Sequence, residues 1–227
     1  MRHPGRTYAP RSDAGQHGRR IREVVVLAGL LLAGTFAARD WSEGLPVASA
    51  AFARQAELAQ IDAQVARART EVRLAAGRLE RWHRIIKYAK TFRIPSDLAA
   101  AIYDAALAER IDPDLAFPLV RLESDFSETA VSPAGAIGLT QVMLATARTI
   151  EPTVTRERLM TREVNLRIGF RYLRHLIANR GGDIHLALLS YNRGPGAVEA
   201  ALALDVDASN GYDRILLKDY RGTGVLD

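Results

Sequence analysis

The feature that most limits the fold is a series of short, helix-like apolar runs separated by turn residues from residue 92 onward. Residues typical of helix starts, Ser96 with Asp97 and Asp112 with Pro113, precede two of these runs. No segment alternates apolar and polar residues for long enough to suggest a β-sheet. The sequence therefore predicts an all-α, compact multi-helix domain, with helices near residues 98–110, 115–125, 139–150, 163–179 and 183–191.

The N-terminal part of the chain differs from this domain in charge. Residues 1–86 contain 14 Lys and Arg against 8 Asp and Glu, a net charge of +6, whereas residues 87–227 contain 17 against 18, a net charge of −1. Because the predicted folded domain has no basic excess, it lacks the electrostatic footprint of a nucleic-acid-binding domain. We therefore expect no nucleic acid among its partners.

The basic tail at residues 1–23 runs into an uncharged apolar stretch at residues 24–38. This order is typical of export segments. The apolar stretch has fifteen residues. This length is at the upper end of the ~7 to 15 apolar residues of a cleaved signal, and it is below the ~20 residues that span a bilayer. A cleaved signal and an inner-membrane anchor both remain open, and either predicts a protein of the periplasm or cell envelope.

Residues 39–56, with Gly44 and Pro46, are predicted to be a linker. Residues 57–86 are predicted to form a helical arm, because apolar residues recur there at alternating steps of three and four. The arm could form a coiled coil, by self-association or with an envelope-assembly partner, or fold back on the downstream domain. The apolar seam consists of Leu58, Ile61, Val65, Ala68, Val72, Ala75, Leu79, Trp82 and Ile86.

Metal and thiol chemistry are not indicated. The chain has no cysteine, and its five histidines include no pair at metal-ligand spacing. We expect neither a metal nor a cofactor. Glu123 is a candidate acid, since Leu122 and Phe126 surround it with apolar groups that favour the protonated carboxyl. By itself this pattern is weak, because most helical glutamates are exposed.

The order of the motifs around Glu123 is more informative. Residues 87 to about 205 resemble the transglycosylase domain of the soluble lytic transglycosylases, which has a fold related to goose-type lysozyme. We assign residues 87–222 to this domain. The matching blocks are Ile94-Pro95-Ser96-Asp97-Leu98-Ala99, Glu123-Ser124-Asp125-Phe126, the loop Ser132-Pro133-Ala134-Gly135-Ala136-Ile137-Gly138-Leu139-Thr140-Gln141, Asn165 with Gly169-Phe170-Arg171-Tyr172-Leu173, and Tyr191-Asn192-Arg193-Gly194-Pro195-Gly196.

The resemblance implies roles for four residues. Glu123 matches the family's sole catalytic acid and base, and Ser132 matches a serine beside that carboxyl which also helps to position the substrate. Gln141 matches an amide that lines the cleft, and Tyr191 matches the tyrosine of a signature motif. Thr140 stands where the family often has methionine, and we expect it to change an apolar contact between the cleft and the sugar.

The resemblance also implies a reaction on the glycan strands of peptidoglycan. Hydrolytic glycosidases generally use two carboxyl groups. Asp125 is two residues from Glu123, so its side chain points to another side of the helix. With one carboxylate, the family's route is a lyase reaction that leaves 1,6-anhydromuramic acid. A lysozyme-like hydrolase with a second carboxylate on a loop, and a non-catalytic peptidoglycan-binding scaffold, are the alternatives.

Overall fold

A computed structural model describes residues 45–226 of the chain, with the side chains described from residue 49 onward. The basic tail and the apolar stretch at residues 24–38, for which we predicted an export or anchor function, lie outside these residues. Within the described part of the chain, none of the helices combines the length and the apolar character needed to span a bilayer.

The first helix, α1, runs from Leu45 to Phe92. Residues 45–56, predicted to be a linker, are therefore helical. Pro46 is compatible with this, because the first turn of a helix does not need the N–H group that proline lacks, and proline's fixed φ is helical. The remaining linker residues, including Gly44, precede the described part of the chain.

Backbone contacts divide the chain into two units, with the boundary inside α1 between Arg73 and Leu74. In the first unit, every described side chain from residue 49 onward is exposed. The predicted seam is therefore open along this part of α1; Val72, for example, is 68% exposed.

The second unit contains the other helices and confirms the predicted all-α domain. Its elements are α2 (Ser96–Ala108), α3 (Pro113–Ser124), β1 (Ala136–Ile137), β2 (Val142–Met143), α4 (Leu144–Ile150), α5 (Arg156–Leu159), α6 (Arg162–Asn179), α7 (Ile184–Arg193), α8 (Pro195–Ala203) and α9 (Tyr212–Leu216).

One predicted helix start is wrong. The helix expected from residue 139 begins at Leu144 instead, because residues 136–143 form a two-stranded antiparallel hairpin. Gly138 and Gln141 have φ angles of 71° and 46° in this hairpin. These left-handed conformations cannot continue a right-handed helix, and they reverse the chain between β1 and β2.

The core of the second unit forms where α2, α3, α6 and α7 pack together. Phe117 of α3 and Phe170 of α6 are fully buried in it. The end of α1 also contributes to this core through Ile85 and Tyr88, and the Tyr88 ring stacks on Phe117 at 4.1 Å between centroids. Burial of each such side chain stabilises the fold by about 1.5 to 3 kcal/mol.

The core therefore extends across residue 86, where the sequence suggested that the arm ends. The side chains of α1 that it buries belong to a different face from the seam. Trp82 and Ile86 of the seam are 50% and 39% exposed, whereas Ile85 is fully buried.

Candidate active site

Helix α3 carries Glu123 in its last turn. The helix begins as the sequence predicted, with the Asp112 side chain accepting a hydrogen bond from the backbone N–H of Asp114 at 2.9 Å and Pro113 in the first turn. Leu115 and Leu119 lie one helical turn apart and are fully buried. Packing of this apolar face sets the direction of the helix and hence the position of Glu123.

The chain turns sharply after Glu123. Ser124 donates hydrogen bonds to the carbonyl oxygens of Val120, at 3.1 Å, and Leu139, at 2.9 Å. Asp125 and Phe126 follow with φ angles of 47° and 64°. Positive φ values in successive non-glycine residues are unusual and carry a local cost of about 1 to 3 kcal/mol each. The end of α3 is thus fixed against the hairpin turn.

The carboxyl group of Glu123 is partly buried and accepts a hydrogen bond from the hydroxyl of Tyr212. Burial raises the pKa of the Glu123 carboxyl above its ordinary value, and the hydrogen bond from Tyr212 lowers it again in part. Among residues 45–226, no Lys, Arg or His forms an ion pair with Glu123. This carboxyl can therefore hold a proton for transfer to a leaving group.

Glu123 opens onto a cavity of about 600 Å³. All four site residues predicted from the sequence line this cavity. Among the described residues, Glu123 is its only carboxylate and Arg193 its only cation. The lining consists of Glu123, Ser132, Ala134, Ala136, Gln141, Val142, Met143, Thr146, Tyr172, Tyr191, Asn192, Arg193, Gly194 and Pro195.

Ser132 and Gln141 make hydrogen bonds within the loop that forms one wall. The Ser132 hydroxyl accepts a hydrogen bond from the N–H of Ala136 at 3.0 Å. The Gln141 amide donates to the carbonyl oxygens of Ala130, at 3.2 Å, and Gly138, at 2.9 Å. Neither side chain bonds to Glu123 within the described structure, so Ser132 shares the cavity with the carboxyl without contacting it through a hydrogen bond.

Tyr191 forms part of another wall. Its hydroxyl donates to the carbonyl oxygen of Thr140 at 2.8 Å, and its ring lies 5.4 Å from that of Tyr172. Burial raises the pKa of the Tyr191 hydroxyl well above its ordinary value, so this group is a neutral donor. The bond ties the end of α7 to the hairpin.

A buried polar network holds the hairpin on α6. Asn165 accepts hydrogen bonds from the N–H and hydroxyl of Thr140 at 2.9 and 2.8 Å, and donates to the carbonyl oxygens of Ile137 and Leu159. Gly169 is required beside it, because a Cβ there would lie 2.5 Å from the Cβ of Thr140. Such fully satisfied networks stiffen the structure around them.

The position of Thr140 bears on one expectation from the sequence. Its side chain is fully buried and faces Asn165, and it does not line the cavity. Thr140 therefore offers no apolar contact to a ligand in the cavity, and a changed contact with the sugar stays a prediction. The Thr140 hydroxyl instead donates a hydrogen bond to the side-chain amide oxygen of Asn165. A methionine side chain has no hydroxyl and could not form this bond.

Sequence reasoning missed Tyr212, which lies 89 positions after Glu123. Its backbone N–H donates to Asn210 at 3.2 Å, and Asn210 donates in turn to Asn192 at 2.8 Å. The residue after Tyr212, Asp213, is buried and forms a hydrogen bond with the ring of His185 at 2.9 Å. No spacing in the sequence connects these groups to Glu123, since the contact arises only when α9 packs beside α3.

Asp125 does not line the cavity, and its side chain is exposed. In the described part of the chain, no cluster of three or more His, Asp or Glu side chains could bind a metal ion. The chemistry available in the cavity is thus that of one protonatable carboxyl among hydroxyl, amide and aromatic groups and one guanidinium.

Solved structures similar to this chain include three of soluble lytic transglycosylases. An inactive mutant of the lytic transglycosylase Slt from Pseudomonas aeruginosa is 26% identical (TM-score 0.44; 52% of this chain and 22% of that one). The 70-kDa soluble lytic transglycosylase from Escherichia coli is 26% identical, with a TM-score of 0.46, and the match covers 55% of this chain and 23% of that one. The 70-kDa soluble lytic transglycosylase in a complex with bulgecin A is 22% identical, with a TM-score of 0.48, and the match covers 62% of this chain and 27% of that one. The chain spans about a quarter of their length.

The family model of the transglycosylase SLT domain matches residues 100–211. The match begins inside α2, just after the first block at residues 94–99, and ends in the loop before α9; it includes Glu123 and the other three predicted residues. Tyr212 lies one position beyond it. This match identifies residues 100–211 as a transglycosylase SLT domain.

Proposed function

We propose that the chain is a peptidoglycan lytic transglycosylase. It would cleave the β-1,4 bond between N-acetylmuramic acid (MurNAc) and N-acetylglucosamine (GlcNAc) and leave 1,6-anhydromuramic acid ends. The observation that carries the proposal is a single protonatable carboxyl, Glu123, in the cavity of an SLT domain. No cofactor takes part.

In the first step Glu123 acts as the acid. It donates its proton to the glycosidic oxygen as the bond from that oxygen to C1 of MurNAc breaks. Burial favours the protonated carboxyl before this step, and the Tyr212 hydroxyl stabilises the carboxylate that remains after it. Positive charge develops at C1 and needs a stabilising group.

In the second step the same residue acts as the base. Since the described cavity contains no second carboxylate, the acetamido group of the substrate stabilises C1. The C6 hydroxyl of the same sugar then attacks C1 and transfers its proton to Glu123. This closes the anhydro ring and restores the acid. The tethered hydroxyl has a high effective concentration compared with water.

The other lining residues would hold the glycan. Ser132 and Gln141 present polar groups on one wall, and the rings of Tyr172 and Tyr191 offer faces to the sugars on another. Because Ser132 and Gln141 are also bonded within their loop, each presents its group in a fixed direction. Fixed groups lower the entropic cost of binding.

The test is the chemistry of the new ends. Purified sacculi are digested with the full chain, and the products are treated with borohydride, which reduces a hemiacetal end but not an anhydro ring. We expect non-reducible anhydromuramic acid ends with the native chain and none with Glu123→Gln. Reducible muramic acid ends would establish a hydrolase, and no new ends would establish a binding scaffold.

We further propose that the domain functions in the periplasm or cell envelope. The support is the family match together with the basic tail and apolar stretch of the sequence. An export-dependent reporter fused after Asp227 should be active. Activity of a reporter that works only in the cytoplasm, at the same junction, would contradict this topology.

The arm would contact an envelope partner or a second copy through its exposed seam.

A further inference from the structure

We propose that Arg193 binds a carboxylate carried on the lactyl arm of MurNAc, so that the site selects glycans with a negatively charged arm. This inference rests on the proposed function and names the charge of its substrate. The carboxylate has two sources, the free lactyl group of a stripped strand or the stem peptide attached to that group. Both present the same chemistry to Arg193.

The first support is the position of Arg193. It is the last residue of α7, two positions after Tyr191, and it lines the same cavity as Glu123. One of its terminal nitrogens donates a hydrogen bond to the carbonyl oxygen of Ala208. This contact holds the guanidinium at the cavity and uses one of its five N–H donors.

The second support is that its charge is not paired. Among residues 45–226, no Asp or Glu forms an ion pair with Arg193, whereas eight other arginines of the second unit form such pairs. Of the described residues that line the cavity, Glu123 alone carries a carboxyl. The pKa of that carboxyl is set by burial and by Tyr212, with no contribution from Arg193. The cation is therefore left for a group outside the protein.

The chemistry of the cation indicates the class of that group. A guanidinium presents parallel N–H donors that match the two oxygens of a carboxylate. Neutral sugar hydroxyls need no cation, and the other lining residues already offer neutral donors and acceptors. In a MurNAc-containing glycan, the carboxylates are on the lactyl arm or on the peptide attached to it.

The experiment measures binding without cleavage, in the full chain carrying Glu123→Gln. The ligands are two matched pairs of GlcNAc-MurNAc tetrasaccharides. The first pair has free lactyl carboxylates or the same groups converted to neutral methylamides. The second pair carries stem peptides with free carboxylates or with all of them amidated. Calorimetry gives the ratio of Kd values, neutral over charged, within each pair.

We expect the charged member of at least one pair to bind about 10-fold more tightly, as for a hydrogen bond to a charged group. Adding Arg193→Gln should bring this ratio to about one, whereas Arg193→Lys should keep part of it. Arg156→Gln removes an exposed charge outside the cavity and should leave the ratio unchanged. The pair that shows the preference identifies the source of the carboxylate.

Two results would overturn the inference: equal binding within both pairs, or an unchanged ratio in Arg193→Gln. Loss of the bond to Ala208 would weaken both members of a pair alike, so it does not imitate the expected result. The outcome is separate from that of the proposed function. Anhydro products with a ratio of one contradict only the role of Arg193, and a high ratio without cleavage contradicts only the lyase.

Discussion

Two glutamates at the ends of successive helices have opposite surroundings. Glu109, at the C-terminal end of α2, is 4% exposed and meets two arginines of α6. Arg171 binds its two oxygens at 2.6 and 3.0 Å, and Arg174 approaches one of them at 3.5 Å. Glu123, at the end of α3, has a tyrosine as its partner and pairs with no cation among residues 45–226.

The difference shows that burial alone does not make a carboxyl an acid. A buried carboxylate between guanidinium groups accepts charge-assisted hydrogen bonds and connects helices, as Glu109 connects α2 to α6. A carboxyl buried beside a neutral hydroxyl keeps its proton more readily, and it can release that proton to a ligand. Glu109 also lies outside the cavity that Glu123 lines. The following changes test this contrast.

The largest effect is expected for Glu123→Gln. The amide preserves the shape of the side chain but cannot transfer a proton, so the rate of glycan cleavage should fall by about 100- to 10,000-fold. Release of soluble fragments from sacculi measures the rate, and circular dichroism checks that the variant folds. A variant that clears sacculi at the rate of the native chain would remove Glu123 from the mechanism.

Glu109→Gln should have a smaller effect of a different kind. Removal of the charge leaves Arg171 and Arg174 without their partner, and we expect the free energy of unfolding to fall by about 1 to 2 kcal/mol, because both arginines are about one-third exposed. Urea denaturation measures this loss, with the exposed Glu163→Gln as the matched control. Cleavage per folded molecule should be retained; its loss would mean that the two glutamates do not differ as described.

Tyr212→Phe should change the pH dependence of cleavage. The Tyr212 hydrogen bond lowers the pKa of Glu123, so its removal should raise that pKa further. Because the first step needs protonated Glu123, the loss of kcat/KM at high pH should move to higher pH. The rate itself should fall about fivefold, as expected for about 1 kcal/mol.

The control for that prediction is Tyr172→Phe. Tyr172 lines the same cavity, and its hydroxyl makes no hydrogen bond within the described residues. Its pH profile should match that of the native chain. A shift of equal size in both variants would show that Tyr212 acts through the general polarity of the cavity and not through its bond to Glu123.

The smallest effect concerns stability. Burial raises the pKa of Glu123 in the folded protein above its unfolded value of 4.5. The contribution of Glu123 to the stability of the fold is therefore fully present below pH 4.5, and it is lost as the pH rises through the folded pKa. Glu123→Gln is neutral at every pH. The variant should therefore be slightly more stable than the native chain at pH 7, and the difference should vanish near pH 4. Thermal melts at both pH values measure it.

Local sequence patterns predicted much of the fold. Asp112 and Pro113 marked the start of α3 because a capping side chain and a proline act on the turn next to them. The same reasoning failed for the helix expected from residue 139. The left-handed conformation of Gln141 is not evident from the residue type, and it is supported by hydrogen bonds from its side chain to Ala130 and Gly138.

The sequence by itself determined the all-α class, the family and a set of four candidate residues, since motif order and helix caps are properties of neighbouring positions. Only the tertiary structure decided which group changes the pKa of Glu123 and which cation shares its cavity. Tyr212 reaches Glu123 across 89 positions, and Arg193 enters the same cavity from α7 without an ion pair in the described part of the chain. Burial, hydrogen bonding and charge pairing depend on distances in space, and packing of α9 against α3 and α7 sets those distances.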